Sequence, residues 1–453
     1  MPKGIHPKPS LKNVGSKSSG IIKKHKHHKH HEPKPPDGGL MAWMIVLASF
    51  LVNGILFGVI NSYSIIYTVF EKHLRDTGVA NSESKAALVG SLSMGFTFFM
   101  SIVSGMLTRL LGLRKTAVLG GAIACLGLVI SSFNEYNHVV LCFSYGFMYG
   151  SGSSLAYTPS LAILGHYFKK HLGMVNGIVT VGSSVFTVIL PPLMDYIITN
   201  HGLAWLFRVL VLLNIVTLFC GFLFKPLMPE GKISKKNHTC CEVIFDLVNV
   251  DMWRIKRYRY WALPMPVCLF GYFVSFVHIK RFIEINFDKD VSKNLPLQCI
   301  AFMSGVGRLL FGALSDSPRL NKIYLQQISF YVIGSSTIFM PFIKLFWLLV
   351  VTALVIGLFD GCFISLMGPI AIQLVGAQYA AQAIGFMLGL AAPFLSVGPT
   401  LAGYVFHITK SYTIPFIVAG ICPIVGASLM FCIHKQPPAV ILPNLPPDAV
   451  KPK

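Results

Sequence analysis

Between residues 41 and 434 the chain alternates long apolar runs with short polar breaks. Twelve runs approach or exceed the roughly 20 residues that cross a hydrocarbon core. They fall at 41–70, 86–108, 116–133, 138–164, 172–199, 203–224, 261–282, 295–316, 324–343, 346–373, 380–403 and 412–434. Several are longer than a bilayer needs, which predicts tilt or helix extending beyond it. The longest internal break, 225–260 (KPLMPEGKISKK … MWRIKRYRY), separates six runs from six. The expected organisation is a polar tail at 1–40, a six-helix half at 41–224, a connecting loop at 225–260, a second half at 261–434 and a tail at 435–453. Runs such as SYGFMYGSGSSLAYTPS (144–160) and LGMVNGIVTVGSSVF (172–186) are rich in small residues, which let membrane helices approach closely. Pro159, Pro191, Pro192, Pro369 and Pro393 fall inside apolar runs and predict kinks.

Composition agrees with an all-α membrane protein. The chain is 54% hydrophobic and 12% charged, against about 25% charged in soluble domains. The net charge of +21 comes largely from the amino-terminal tail and the central loop. Lys and Arg bias of this kind places both termini in the cytosol. The excess charge is then a property of one membrane face and no sign of nucleic-acid binding. Residues 1–36 contain no apolar core of a cleavable signal.

Ten cysteines are scattered without framework spacing, so neither a disulfide scaffold nor a zinc site is expected. KKHKHHKHH (23–31) reads either as a metal or anionic-lipid contact or as a solvated tail. The tail is favoured, because no carboxylate or Cys ligands surround it. Cys240-Cys241 reads as an ordinary cysteine pair rather than a palmitoylation site. The Asn237-His238-Thr239 sequon is expected to be unused on the cytosolic side. There is no P-loop, no nucleophile–base motif and no metal-ligand cluster in the apolar region, so no enzyme activity, metal or cofactor is expected.

Two charges interrupt the apolar runs. Asp360 lies in GLFDGCF and Arg308 in GVGRLLF. A mid-bilayer charge costs at least about 2.5 kcal/mol on insertion scales, so such residues are rare, partnered and functional. Counted from the ends of their runs, both lie roughly 20 Å deep, which makes Arg308 the expected partner of Asp360. Arg208 is near enough to a run end to reach the interface. An Arg fork binds a carboxylate through two parallel hydrogen bonds. Arg308 and Asp360 together could hold a zwitterionic amino acid by both ends. Alternatively, Arg308 binds a simple organic anion while Asp360 orients it, or the pair only fixes the bundle.

The two halves echo each other. GMLTRLLGLRK (105–115) follows the second run and GRLLFGALSDSPRLNK (307–322) ends the eighth. The first resembles the loop motif of major facilitator transporters, with Thr108 read in place of the usual Asp, and the second keeps an acid, Asp316. The resemblance implies a major facilitator fold, twelve transmembrane helices in two six-helix halves. It also implies a conformational gate through Arg109, Arg114, Lys115 and Asp316. A topology-setting turn is the simpler reading.

PPDGGLMAWMIVLASF (35–50) and GHYFKKHLGMVNGIVTVGSS (165–184) resemble the two signatures of the monocarboxylate transporter family. GLFDGCFISLMGPIAIQLVGAQYAAQAIGFMLGL (357–390) is similar to the branch that carries aromatic amino acids and thyroid hormones. That branch has an Arg, an Asp and a His at the positions of Arg308, Asp360 and His278. Proton-coupled lactate carriers have a Lys where Asn61 stands and an acid where Ser304 stands, which argues against proton coupling. The thyroid-hormone branch has a His where Ile60 stands. The resemblance implies facilitated uniport of an aromatic amino acid or related carboxylate across the plasma membrane. Arg308, Asp360, Asn61, His278, Tyr149 and Asn53 are the expected substrate contacts. Tyr63, Tyr145 and Tyr157 are further candidates for the path. The alternatives are a proton-coupled monocarboxylate symporter and a non-transporting substrate sensor. The expected partners are the small organic acid or amino acid and the lipid bilayer, with no nucleic acid, and a single-span ancillary subunit stays open.

Overall fold

The computed structural model describes residues 35–79, 81–227, 250–287 and 291–433. The His-rich stretch 23–31, the sequon 237–239 and Cys240-Cys241 lie outside these residues. All regular structure among the described residues is helical.

The twelve expected runs are all helical. In the first half they are α1 (Leu40–Asn61, resumed as Tyr63–Asp76), α2 (Ser82–Phe99 and Ser101–Leu111), α3 (Leu113–Phe133), α4 (His138–Leu141, Cys142–Tyr149 and Gly150–Ala162), α5 (Leu172–His201) and α6 (Leu203–Leu223). In the second half they are α7 (Lys256–Ala262, Met265–Phe270 and Tyr272–Asn286), α8 (Leu295–Leu314), α9 (Lys322–Phe339), α10 (Phe346–Val375), α11 (Ala380–Thr409) and α12 (Thr413–Leu429). Nine helices among the described residues are long and apolar enough to cross a membrane, ten with the two bent segments of α2 taken as one. The remaining two expected spans are α4, whose middle segment is a π-helix, and α9, an 18-residue helix.

Local chemistry sets several boundaries. The Asn137 side chain accepts from the backbone N–H of Val139 and Val140 to start α4. Asn321 does the same for Ile323 at the start of α9. Gly112, Gly202 and Gly376 separate helices that follow one another almost directly. Their φ angles of 89°, 86° and 84° are open to glycine and costly for other residues. The central connection is more ordered than a loop at its end, because Val250–Arg254 and Lys256–Ala262 are helical.

The halves meet closely at the end of the bundle that carries Arg109, Arg114, Lys169 and Arg319, here called the basic end. A Cβ added to Gly105 of α2 would stand 2.8 Å from Gln382 Cα of α11. A Cβ added to Gly312 of α8 would stand 2.8 Å from Gly173 O of α5. Toward the opposite end, a cleft of about 450 Å³ lies between α2 and α11, lined by Leu88, Leu92, Gly95, Phe99, Pro393 and Ser396. The halves are therefore closed against each other at the basic end, with this cleft between α2 and α11 farther from it.

Candidate functional site

Arg308 and Asp360 are both almost fully buried, 8% and 3% exposed, on the adjacent helices α8 and α10. They do not form the expected ion pair. Among the described residues, ion pairs join Glu71 to Arg75 and Glu284 to Arg281 and Lys293, but not these two. The two side chains turn to different neighbours. A Cβ on Gly357 would meet the carbonyl of Ile300, and one on Gly361 would meet that of Ser304. Asp360 is thus level with Ser304, one helical turn from Arg308.

Each charge has found other partners. The Tyr272 hydroxyl of α7 donates to Asp360 Oδ1, and the Ser304 hydroxyl donates to Oδ2. Tyr272 is wedged among Phe273, Phe276 and Phe363, with ring centroids 5.0, 5.3 and 5.6 Å away. Arg308 reaches into the other half instead. Its Nη1 donates to the Thr180 carbonyl of α5 at 2.5 Å and to the Ser183 hydroxyl. Its Nε has no partner among the described residues.

The other candidates fall into separate groups. Asn61 ends the first segment of α1 and is exposed. Its amide donates to Thr187 Oγ1 at 3.1 Å, and Thr187 donates to the Ser183 carbonyl at 2.7 Å. Asn61, Thr187, Ser183 and Arg308 therefore form one polar ladder along α5. Asn53 is buried and donates to Ser49 O at 2.9 Å and Ser160 Oγ at 3.0 Å. Tyr149 is buried in the π-helical part of α4 and donates to Leu56 O at 3.3 Å, with its ring stacked on Tyr145. Asn53 and Tyr149 bind α1 to α4. His278 bridges three helices through the Pro399 carbonyl at 2.9 Å and the Tyr412 hydroxyl at 3.4 Å. Nearby at the opposite end, Arg281 Nη1 donates to Glu284 Oε2 at 3.0 Å.

The sequence singled out neither Tyr272 nor the α5 acceptors, which are the Thr180 carbonyl and the Ser183 and Thr187 hydroxyls. The Ser183 and Thr187 hydroxyls, four residues apart on a helix rich in small residues, were the readable signal. Tyr272 offered none, since a Tyr in an aromatic run is an ordinary packing residue.

At the basic end Asp316 accepts from the backbone N–H of Gly173 at 2.7 Å and of Met174 at 2.8 Å. A carboxylate of one half thus caps the first turn of α5 in the other, where free amides and the helix dipole favour negative charge. The first copy is not equivalent. Gly105 is the counterpart of Gly312, and the same offset of four residues puts Arg109, not Thr108, in the place of Asp316. Thr108 turns back to its own helix and donates to Ser104 O at 2.8 Å. Arg109 lines a small cavity with Gln378 and Gln382 at the start of α11. Arg114 lies over the Phe222 ring at 5.9 Å, and Lys115 is exposed. Asp37 of the PPDGG stretch accepts from Lys169 N at 2.5 Å and Lys170 N at 2.7 Å, so it joins the two signature stretches.

His166, just past α4 at this end, is 1% exposed. Burial pushes its imidazole down to about 4 from the ordinary 6.5, against a weaker opposing contact with the Ala377 backbone. The unfolded chain takes up the proton first. The stability carried by neutral His166 is whole above pH 6.5 and is lost as pH falls toward 4, at most about 3 kcal/mol. Thermal unfolding in detergent is expected to show this loss, and His166→Gln to reduce it. The same acid slope in the variant would refute the assignment.

Residues 39–392 match the Major Facilitator Superfamily. The chain is 42% identical over 416 residues to monocarboxylate transporter 10 of Danio rerio, covering 92% of this chain and 82% of that protein. It is 41% identical over 411 residues to monocarboxylate transporter 10 of Homo sapiens, covering 88% and 79%. Among solved structures it is similar to the human organic anion transporter MFSD10, with a TM-score of 0.71 at 12% identity over 88% of this chain and 100% of that one. It is also similar to the transporter FucP in its outward conformation, with a TM-score of 0.68 at 12% identity over 86% and 99%. The family match, the helical halves and these relatives identify a multi-pass membrane transporter and not an enzyme. The chain belongs to the monocarboxylate transporter family of the Major Facilitator Superfamily.

Proposed function

We propose that the protein carries an aromatic amino acid or a related carboxylate across the plasma membrane by facilitated uniport, with its basic end and both termini in the cytosol. The observation that carries this reading is Arg308. Its guanidinium is buried between the halves, is not neutralised by a contacting carboxylate, and keeps its Nε side unpartnered among the described residues. Two parallel donors on that side are the chemistry that a substrate carboxylate takes up. The relatives named monocarboxylate transporter 10 and the similar fold of a protein named an organic anion transporter point the same way.

Asn61 and Thr187 line the approach, and the Tyr272, Phe273, Phe276 and Phe363 rings offer an apolar surface beside Asp360. Asp360 receives the substrate ammonium after losing one of its hydroxyl donors. A second reading draws on those same donors: both Asp360 oxygens are occupied, so Asp360 orients α7 against α8 while Arg308 alone binds an organic anion. Asp316 serves as the gate, holding the basic end closed until substrate binds.

Uniport follows from Asn61 and Ser304, which put neither a Lys nor a second acid beside Arg308. In proteoliposomes, uptake of labelled phenylalanine and tyrosine is expected to saturate, with lactate taken up poorly at both pH 6 and pH 7.5. An inward proton gradient is expected to leave the final internal concentration no higher than the external one. Concentrative uptake under that gradient would replace uniport by symport. Saturable lactate uptake without phenylalanine uptake would overturn the substrate class.

A further inference from the structure

To bind a carboxylate, the Arg308 guanidinium must be held in one direction. Long Arg side chains are mobile, and an unheld fork gives up much of its advantage over an ammonium. In this structure it is held by the other half of the protein. Both of its hydrogen bonds leave from Nη1, one to the Thr180 carbonyl and one to the Ser183 hydroxyl. The Ser183 hydroxyl in turn donates to the same Thr180 carbonyl at 3.0 Å. Three groups are thus locked together, and the unpartnered Nε lies on the remaining side of the fork.

The lock depends on the closed basic end. Its donor is on α8 and its acceptors are on α5, and these helices touch through Gly173, Gly177 and Gly312. Alternating access must part them when the basic end opens. The anchor therefore exists in one conformation and is broken in the other.

We infer that Ser183 and the Thr180 carbonyl are positioning groups that aim the Nε side of Arg308 at the substrate carboxylate only while the basic end is closed. The inference rests on the assignment of Arg308 as the carboxylate-binding residue. The consequence is a sided affinity. The carrier holds a carboxylate more tightly when open to the opposite face and loosens its hold as the basic end opens, which favours release there.

Ser183→Ala removes one anchor and keeps the helix. In sided proteoliposomes it is expected to raise the half-saturation constant for phenylalanine on the opposite face about fivefold. The ratio between the two faces should move by a similar factor, with the two maximal rates moving in proportion, as a reversible uniporter requires. Ser183→Thr, which keeps a hydroxyl, should restore the ratio. An unchanged ratio in Ser183→Ala would overturn the inference, and so would an equal rise on both faces. If Arg308→Ala destroys saturable uptake while Ser183→Ala leaves the ratio unmoved, the positioning role fails and the binding role stands. If neither variant changes half-saturation, the binding role itself has failed.

Discussion

Arg308→Ala is expected to lower kcat/KM for phenylalanine by two to three orders of magnitude while the protein still reaches the membrane. Hydrogen bonds to a charged group contribute about 1.5–3 kcal/mol each, and a bidentate carboxylate uses two. A loss of about 3–4 kcal/mol corresponds to that range of rate. Folding should suffer less, because the Arg308 partners are modest. Thr180 O keeps its bond from Ser183, and the Ser183 hydroxyl keeps its own donor role. Arg308→Lys should recover only a small part of the activity, since an ammonium on a flexible stem cannot present two parallel donors. The checks are sided uptake kinetics and thermal stability in detergent. Wild-type kinetics in a well-expressed Arg308→Ala protein would remove Arg308 from the site.

Depth along the apolar runs singles out Arg308 and Asp360 but not their partners. Run lengths placed Arg308 and Asp360 at one level, and the structure sets their backbones close together: a Cβ on Gly361 would lie 2.6 Å from the Arg308 nitrogen. What apolar run ends cannot fix is the direction each side chain takes, and direction decided the partners. Asp360 met Ser304 and Tyr272, and Arg308 met α5. The twelve runs were legible because hydropathy dominates the choice of spanning segments. The break of α1 at Ser62 and the π-helical turn in α4 were not, because neither leaves a Pro at the site. The Asp316 cap was readable as an acid in a repeated turn. Its acceptor role toward Gly173 and Met174 was not, because the partner helix is in the other half. Asp37 was quoted within a signature, yet its bonds to Lys169 and Lys170 required the fold.

Gly177→Leu is expected to stop transport at least tenfold without unfolding either half. Gly177 faces α8 from α5, where an added Cβ would lie well inside contact distance of the Arg308 carbonyl and 3.3 Å from Gly312 Cα. Those atoms are backbone, so no rotamer change relieves the clash, and the helices must part. The contact lies between the halves and not within one. The cost therefore falls on the closed basic end, and the conformation open at that end is spared. Other ties across this interface weaken with it, among them the Asn176 Nδ2 bond to Ser365 O at 2.7 Å and the Asp316 bonds to the start of α5. Ser365 is fully buried here and should become accessible from the basic side. Ser365→Cys, placed in a background with the native cysteines replaced, gives the reading. In Gly177→Leu it should label rapidly from the basic face, while in the parent it labels slowly. Gly177→Ala, with only the Cβ, should fall between the two. Slow labelling in Gly177→Leu together with full transport would show that α5 and α8 need not meet at this glycine for the carrier to cycle.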